Sequence, residues 1–201
     1  MSFTYFSWEM NLLLELQKMH CDALNYIFSF LSAITAHGEL WIGLCIVLLC
    51  FKKTRKIGIT MFFALLMEVI LADLILKPLQ IRNRPCFYEE IVARYEVEKV
   101  NLMGMVKYWL PKELPRSFPS GHAGASFAAS VSVFLYHKKG GIISILVAIA
   151  ICFSRMYLFL HFPLDVLTGI VFGILMAFLS YYLVNKAGTK RNKEKCTLGI
   201  F

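Results

Sequence analysis

The sequence predicts an all-α integral membrane protein, built as a bundle of six transmembrane helices preceded by an amphipathic helix. Composition is the first indication, since 58% of the 201 residues are hydrophobic, 17% are charged and mean hydropathy is +0.63. Secondly, several apolar segments approach the roughly 20 residues that a helix needs to cross a bilayer. Thirdly, Lys and Arg cluster in short segments between them, as in membrane proteins. A chain of this length has room for one domain, covering residues 1–201.

The N-terminal segment 3–20 predicts a helix lying on the membrane surface. It carries Glu9, Glu15 and Lys18 among apolar residues, which is typical of an amphipathic helix and unlike a cleavable signal peptide. Between residues 24 and 51 two apolar runs are split by a polar stretch, which fits two tilted helices or one long one, and we favour two. The predicted spans are approximately 22–36, 39–51, 57–77, 122–137, 141–158 and 164–185.

Basic segments predict the orientation of this bundle. They occupy residues 52–56, the pair Lys138-Lys139 and a tail at 186–201 that we expect to be disordered and cytoplasmic. Positive charge accumulates on the cytoplasmic side, so the loops around 77–122 and 154–165 should be extracytoplasmic. The net charge of +8 is then mostly a signal of topology. A nucleic-acid partner is not expected, because these basic residues flank spans and lack interleaved aromatic residues.

A first polar cluster follows the third predicted span. Lys77 and Arg84 carry permanent positive charge that can neutralise phosphate oxygens, while Pro85 stops the chain from continuing as a helix. The alternative is that Lys77 and Arg82 only mark the membrane interface by snorkelling. Asp73 lies one helical turn before Lys77, where it can pair with it.

A second cluster, Pro119-Ser120-Gly121-His122, precedes the fourth predicted span. Proline and glycine punctuate the chain here, so the next residues should open a helix whose backbone N–H groups bind anions. A histidine in this place can pass a proton to a leaving oxygen. Such a tetrapeptide alone is a weak signal, because a lone histidine is usually structural.

The third cluster is the most specific. Arg155, after Ser154, ends one span, His161 lies in the following turn, and Asp165 lies just inside the next helix behind Pro163. Asp165 can then reach His161, and a histidine held by a carboxylate can act as a nucleophile towards phosphorus. The alternative is helix capping by Asp165 beside an incidental histidine. Ionic groups near lipid are costly, and the predicted topology places all three clusters on one face, which indicates a membrane enzyme acting on phosphate.

Together these clusters resemble the three motifs of the type 2 phosphatidic acid phosphatase family, matched at each signature position with the family's spacing. The resemblance implies a six-helix bundle with its site at the outer leaflet. It also implies that His161 is the nucleophile and forms a phosphohistidine, that Asp165 orients it, and that His122 is the general acid. The residues that would hold the phosphate are Lys77, Arg84, Ser120, Gly121 and Arg155.

No metal ion or other cofactor is expected. Lys77, Arg84 and Arg155 supply the positive charge that Mg²⁺ often brings, and the sequence offers no carboxylate cluster on this face. We expect catalysis that resists chelation and is inhibited by vanadate. Between the first two clusters, residues 89–110 mix charged, aliphatic and aromatic side chains, which fits an interfacial helix over the site or an ordinary surface loop.

The resemblance implies that the substrate is a lipid phosphate in the membrane, and it narrows the identity of that lipid without fixing it. Short loops and the absence of an Asn-x-Ser/Thr sequon are typical of bacterial members, located in the cytoplasmic membrane. There the expected substrates are undecaprenyl diphosphate, which we favour, phosphatidylglycerol phosphate and phosphatidic acid. The alternatives are a lipid A phosphatase, a phosphotransferase and, in another class, a lipid-binding or transport protein. No feature of the sequence indicates an oligomeric state.

Overall fold

A computed structural model describes residues 5–36, 38–79, 82–88 and 116–197, with side chains to residue 189. Its regular structure is helical, which confirms the predicted all-α class for these residues. An isolated antiparallel bridge joins Asn83 to Arg116. The helices are α1 Ser7–Gln17, α2 Asp22–Ala33, α3 Glu39–Cys50, α4 Arg55–Leu79, α5 Gly121–Tyr136, α6 Lys138–Tyr157 and α7 Pro163–Thr197. The predicted interfacial segment at 89–110 lies outside the described residues.

Helices occupy the positions of the six predicted spans, but their lengths differ widely. Among the described residues α4, α6 and the 163–189 part of α7 are long and apolar enough to cross a membrane, and α3 is a shorter apolar helix. The segment 24–51 forms two helices, separated at Gly38, whose φ of 79° lies in the left-handed region that glycine tolerates. The count of six spans stays a prediction.

The C-terminal prediction is wrong in one respect. Helix α7 continues without a break to Thr197, into the segment that we expected to be a disordered tail. Lys, Arg, Glu and Ala dominate this stretch and have high helix propensity, so a helix that is already nucleated in the apolar segment extends through it.

The end of α4 departs from regular α-helix just before Lys77. Residues Ile70–Leu76 form a π-helical stretch, in which the Lys77 N–H bonds to the carbonyl of Ala72. Pro78 follows directly and removes a donor from the helix, which favours a local rearrangement of the backbone hydrogen bonds. Such widened turns occur often at functional sites.

Helix α5 is the centre of the bundle and is buried along most of its length. It packs against α4, α6 and α7, while α3 packs on α4 and α2 on α6. Close approach to α7 depends on Gly169 and Gly173, where an added Cβ would lie 2.4 Å from the Ser120 carbonyl oxygen and 2.3 Å from that of Gly124. Small residues allow this contact, as in other membrane helix pairs. Large apolar side chains on the outside of α4, α6 and α7 are exposed, as expected of a lipid-facing surface.

The two ends of the bundle differ in character. At one end Tyr136 contacts Thr60, with their hydroxyl oxygens 3.0 Å apart, and accepts a hydrogen bond from Asn185 at 3.4 Å. Lys56 lies 5.6 Å from the ring centroid of Tyr136. The three basic segments therefore share this end, and the ends of α4 to α7 that carry the predicted site residues meet at the other.

We expect Gly173→Ala to destabilise the bundle by about 1–3 kcal/mol, because its Cβ would meet the backbone of α5 rather than a flexible side chain. The matched control is Gly43→Ala in α3, where nothing lies within 4 Å of the added Cβ. There alanine should raise stability by up to about 1 kcal/mol through helix propensity. Thermal unfolding in detergent measures both, and equal midpoints for the two variants would contradict this account of the packing.

Candidate active site

The turn between α6 and α7 carries His161 and closes on the end of α6. The backbone N–H groups of Leu160 and His161 donate to the Arg155 carbonyl oxygen at 3.0 and 3.2 Å. Phe159 adopts a φ of 57°, in the left-handed region, which costs about 1–2 kcal/mol for a residue with a Cβ. Burial of its ring in a cluster with Met10 and Leu13 of α1 offsets that cost. The turn is thus fixed from two sides.

His161 is buried, and its ring is oriented by the segment before α5. Its Nδ1 lies 2.8 Å from the carbonyl oxygen of Ser117, which can only accept a hydrogen bond. Nδ1 is therefore the protonated nitrogen of the neutral ring, and Nε2 carries the lone pair. This is the tautomer that a nucleophile needs. The predicted orienter, Asp165, is close but not bonded to the ring, with its Oδ2 at 3.9 Å from Nδ1.

Asp165 is fully buried and connects the second and third clusters. Its carboxylate accepts hydrogen bonds from the Phe162 N–H at 2.9 Å, from the Ser117 hydroxyl and from the Arg82 guanidinium. Its backbone carbonyl accepts from the Ser120 N–H at 3.0 Å. A carboxylate with this many donors is held in one position beside His161.

The surroundings hold His161 in its neutral form. Burial is the main cause that lowers its pKa well below the ordinary value, and nearby positive groups lower the pKa further: Arg84, Arg155, His122 and Lys77. Burial likewise lowers the pKa of the Arg84 guanidinium. A neutral imidazole among several cations is suited to attack an anionic phosphate that those cations bind.

The five predicted phosphate-binding residues lie around this histidine. Lys77 forms an ion pair with Asp73, as predicted. Both side chains lie beside the first turn of α5, where a Cβ added to Gly121 would be 3.4 Å from the Lys77 Nζ. Ser120 immediately precedes that helix.

Three buried polar atoms of the site have no hydrogen-bond partner among the described residues: Ser120 Oγ, Arg84 Nε and Arg155 Nε. Buried polar atoms are normally satisfied, so an anion with several acceptor oxygens fits this set.

Four residues of the site carried no signal that we recognised in the sequence. Arg82, which we considered as a snorkelling side chain, is 1% exposed and bridges Asp165 and Glu9. The Arg82 side chain points inward because its backbone pairs with the segment before α5. In this pairing the Ser117 N–H donates to the Arg82 carbonyl oxygen at 2.7 Å. The others are Glu9 of α1, Ser117 and Ser32, whose hydroxyl accepts a hydrogen bond from the Arg155 guanidinium.

Among the described residues no group of three or more His, Cys, Asp or Glu could hold a metal ion.

Comparison with known proteins identifies the family of this chain. Residues 56–189, which include each predicted site residue, match the PAP2 superfamily. The chain belongs to this superfamily. The PAP2 protein is also 31% identical over 172 residues to the undecaprenyl-diphosphatase of Sulfolobus acidocaldarius, covering 85% of this chain and 76% of that relative. The predicted family and enzyme class, a membrane phosphatase, are therefore confirmed.

Two solved structures share the fold of this PAP2 protein. Aquifex aeolicus LpxE superposes with a TM-score of 0.69 at 27% identity, covering 90% of this chain and 98% of that one. The first transmembrane PAP2 type phosphatidylglycerolphosphate phosphatase from Bacillus subtilis gives 0.59 at 20% identity, covering 92% and 89%. At that lower identity the second likeness concerns the fold alone. The apolar helices α4, α6 and α7 of the described residues support the prediction of an integral membrane protein.

Proposed function

We propose that this PAP2 protein is a metal-independent phosphatase of lipid phosphates and diphosphates, with undecaprenyl diphosphate as its preferred substrate. The observation that carries the mechanism is the 2.8 Å contact between His161 Nδ1 and the Ser117 carbonyl, which leaves Nε2 as the nucleophilic nitrogen. The substrate preference is supported by the similarity to the Sulfolobus acidocaldarius relative, which is an undecaprenyl-diphosphatase.

The reaction takes place in two transfers at phosphorus. His161 Nε2 forms a bond to the terminal phosphorus while the bond from phosphorus to the leaving oxygen breaks, and His122 gives that oxygen a proton. Water, losing a proton to His122, then attacks the phosphohistidine, which releases phosphate and restores the neutral ring. Lys77, Arg84 and Arg155, with Ser120 and the Gly121 end of α5, stabilise the added negative charge of each transition state.

Asp165 has an electrostatic role in this scheme. When His161 bonds to phosphorus while Nδ1 keeps its proton, the ring becomes a cation. The carboxylate at 3.9 Å stabilises that charge, and the Ser117 carbonyl keeps the ring in place. With Asp165 in place, the surrounding cations destabilise a positively charged His161 ring less than they would without this carboxylate. Asp165 therefore offsets part of their repulsion at the moment the intermediate forms.

We further propose a topology for this domain, which spans residues 1–201. Helices α2 to α7 are the six spans, α1 lies at the membrane surface, and the active site faces the extracytoplasmic side of a bacterial cytoplasmic membrane. The concentration of basic segments at the end opposite the site supports this orientation. An outward-facing site suits hydrolysis of a carrier lipid released on the outer leaflet.

Phosphate release by the purified protein tests the proposed function. With excess EDTA, we expect turnover of undecaprenyl diphosphate to persist and to exceed that of phosphatidylglycerol phosphate, phosphatidic acid and lipid A, and vanadate to inhibit it. Adding an acceptor lipid or sugar separates hydrolysis from phosphoryl transfer. Loss of turnover in EDTA would contradict the metal-independent mechanism. A folded protein that binds lipid without hydrolysing it would instead favour the lipid-binding or transport alternative.

A further inference from the structure

Helix α1 contributes a buried carboxylate to the active-site end of the bundle. Glu9 is fully buried, and its Oε2 accepts from the Phe6 N–H at 3.0 Å and from the Arg82 guanidinium. Its Oε1 accepts from the Leu164 N–H at 3.2 Å, at the start of α7. Met10 and Leu13 of the same helix pack with Phe159 and Phe162, which flank His161 in the chain. Helix α1 thus contacts the turn that carries the nucleophile.

Arg82 connects this carboxylate to the catalytic one. One terminal nitrogen of its guanidinium binds Asp165 and the other binds Glu9, while its Cζ lies 4.4 Å from the centroid of the Phe162 ring. A planar guanidinium is suited to bridge two carboxylates in a fixed geometry, and a lysine would lack this double contact. The position of Asp165 relative to His161 therefore depends on how Arg82 is held, and Glu9 holds it.

The charges of this triad favour phosphorylation of His161. Two carboxylates and one guanidinium leave one net negative charge, buried next to a ring that becomes cationic in the intermediate. If Glu9 were neutral, Arg82 would cancel the charge of Asp165, and the cations around the site would oppose the developing imidazolium unaided. A buried ion network gives little stability compared with apolar packing, so its presence next to His161 favours a role other than stability.

We propose that Glu9 and Arg82 are positioning residues for phosphoryl transfer, which act on His161 through Asp165. The inference rests on the proposed role of His161 as the nucleophile. It assigns a positioning role to Glu9 of the N-terminal helix, which lies outside the region matching the superfamily.

Glu9→Gln tests the charge with little change in shape. We expect kcat for undecaprenyl diphosphate to fall about tenfold, equivalent to about 1.4 kcal/mol. KM should not rise, because the cations that bind the substrate's phosphate remain in place and lose a nearby negative charge. The matched control is Glu15→Gln on the same helix, where Glu15 forms an exposed pair with Lys18, and kcat should stay at the wild-type value.

Two further variants separate positioning from simple docking of α1. Glu9→Asp keeps the negative charge of Glu9 but shortens its side chain. If the charge of Glu9 assists the reaction, Glu9→Asp should retain more kcat than Glu9→Gln. If only the shape of the side chain mattered, Glu9→Gln would retain more, and this result would overturn the proposed role of the charge. Gln17→Ala removes the hydrogen bond that the Gln17 Nε2 donates to the Tyr157 carbonyl oxygen at 3.1 Å, so it weakens the docking of α1 on α6 without altering charge. It should lower the unfolding temperature while kcat per folded molecule stays near the wild-type value.

The outcomes are distinguishable from failure of the proposed function. If wild type is active, His161→Ala is inactive and Glu9→Gln has the same kcat as Glu15→Gln, the positioning role is overturned while the mechanism stands. An equal loss of kcat in Gln17→Ala and Glu9→Gln, at matched unfolding temperatures, would also overturn it. If wild type releases no phosphate, or His161→Ala remains active, the proposed function fails and this inference with it.

Discussion

Replacing His161 with alanine should lower kcat by about 10⁴-fold or more, because the variant loses the atom that bonds to phosphorus. The site would still bind the substrate through Lys77, Arg84 and Arg155, so KM should change far less than kcat. Phosphate release from the best lipid substrate measures the effect. The expectation depends on the tautomer set by the Ser117 carbonyl, which presents Nε2 to the substrate.

A matched histidine variant controls for this result. His137 lies between α5 and α6 at the basic end, where its ring nitrogen accepts from the Gly140 N–H at 3.0 Å. His137→Ala should keep wild-type kcat and lose about 1 kcal/mol of stability with the helix cap. More than a few per cent of wild-type turnover in a folded His161→Ala protein would exclude His161 as the nucleophile.

His161 should also make stability depend on pH. Its pKa in the folded protein is lowered well below 6.5, so below about pH 6.5 the unfolded chain binds a proton that the folded protein does not. Acidification from pH 7 to pH 5 should therefore cost wild type up to about 1.4 kcal/mol per pH unit relative to His161→Ala. Unfolding midpoints of the two proteins across this range measure the difference, and parallel curves would contradict the inferred neutral ring.

Arg155→Lys should lower kcat/KM by about 10²–10³-fold, the second-largest effect expected of a single change. The guanidinium is buried, one nitrogen is fixed by the Ser32 hydroxyl, and its Nε has no hydrogen-bond partner among the described residues. Lysine keeps the positive charge but offers a single point donor, so it cannot hold Ser32 and two phosphate oxygens together. The loss should be larger for kcat than for binding, since the charge on phosphate oxygens increases in the transition state.

Arg55→Lys is the control for that substitution. Arg55 lies at the basic end of α4, where its Nε donates to the Leu49 carbonyl at 3.1 Å on the exposed surface. The same chemical change there should leave kcat/KM unaltered. If Arg155→Lys and Arg55→Lys had equal activity, the guanidinium of Arg155 would have no role beyond its charge.

The sequence predicted those parts of the structure that depend on local pattern. Apolar runs of helical length, one of them begun near Pro163, located the helices of the bundle, and the motif spacing located the predicted site residues that the structure brings together. Its failures concern contacts between distant segments. Glu9 and Arg82, separated by 73 residues, each resemble ordinary interfacial charges until the fold buries them together. Ser117 acts largely through its backbone carbonyl, which any residue possesses.

We expect the phosphoryl group to pass through His161, and trapping the intermediate shows whether it does. A His122→Ala variant, given an aryl phosphate whose leaving group needs no proton, should form the intermediate but hydrolyse it slowly. An alkaline quench preserves phosphohistidine, and peptide mass spectrometry locates the phosphoryl group. We expect it on His161, and absent when His161 is also replaced. Steady turnover by this variant with the phosphoryl group on another residue, or on none, would contradict the mechanism.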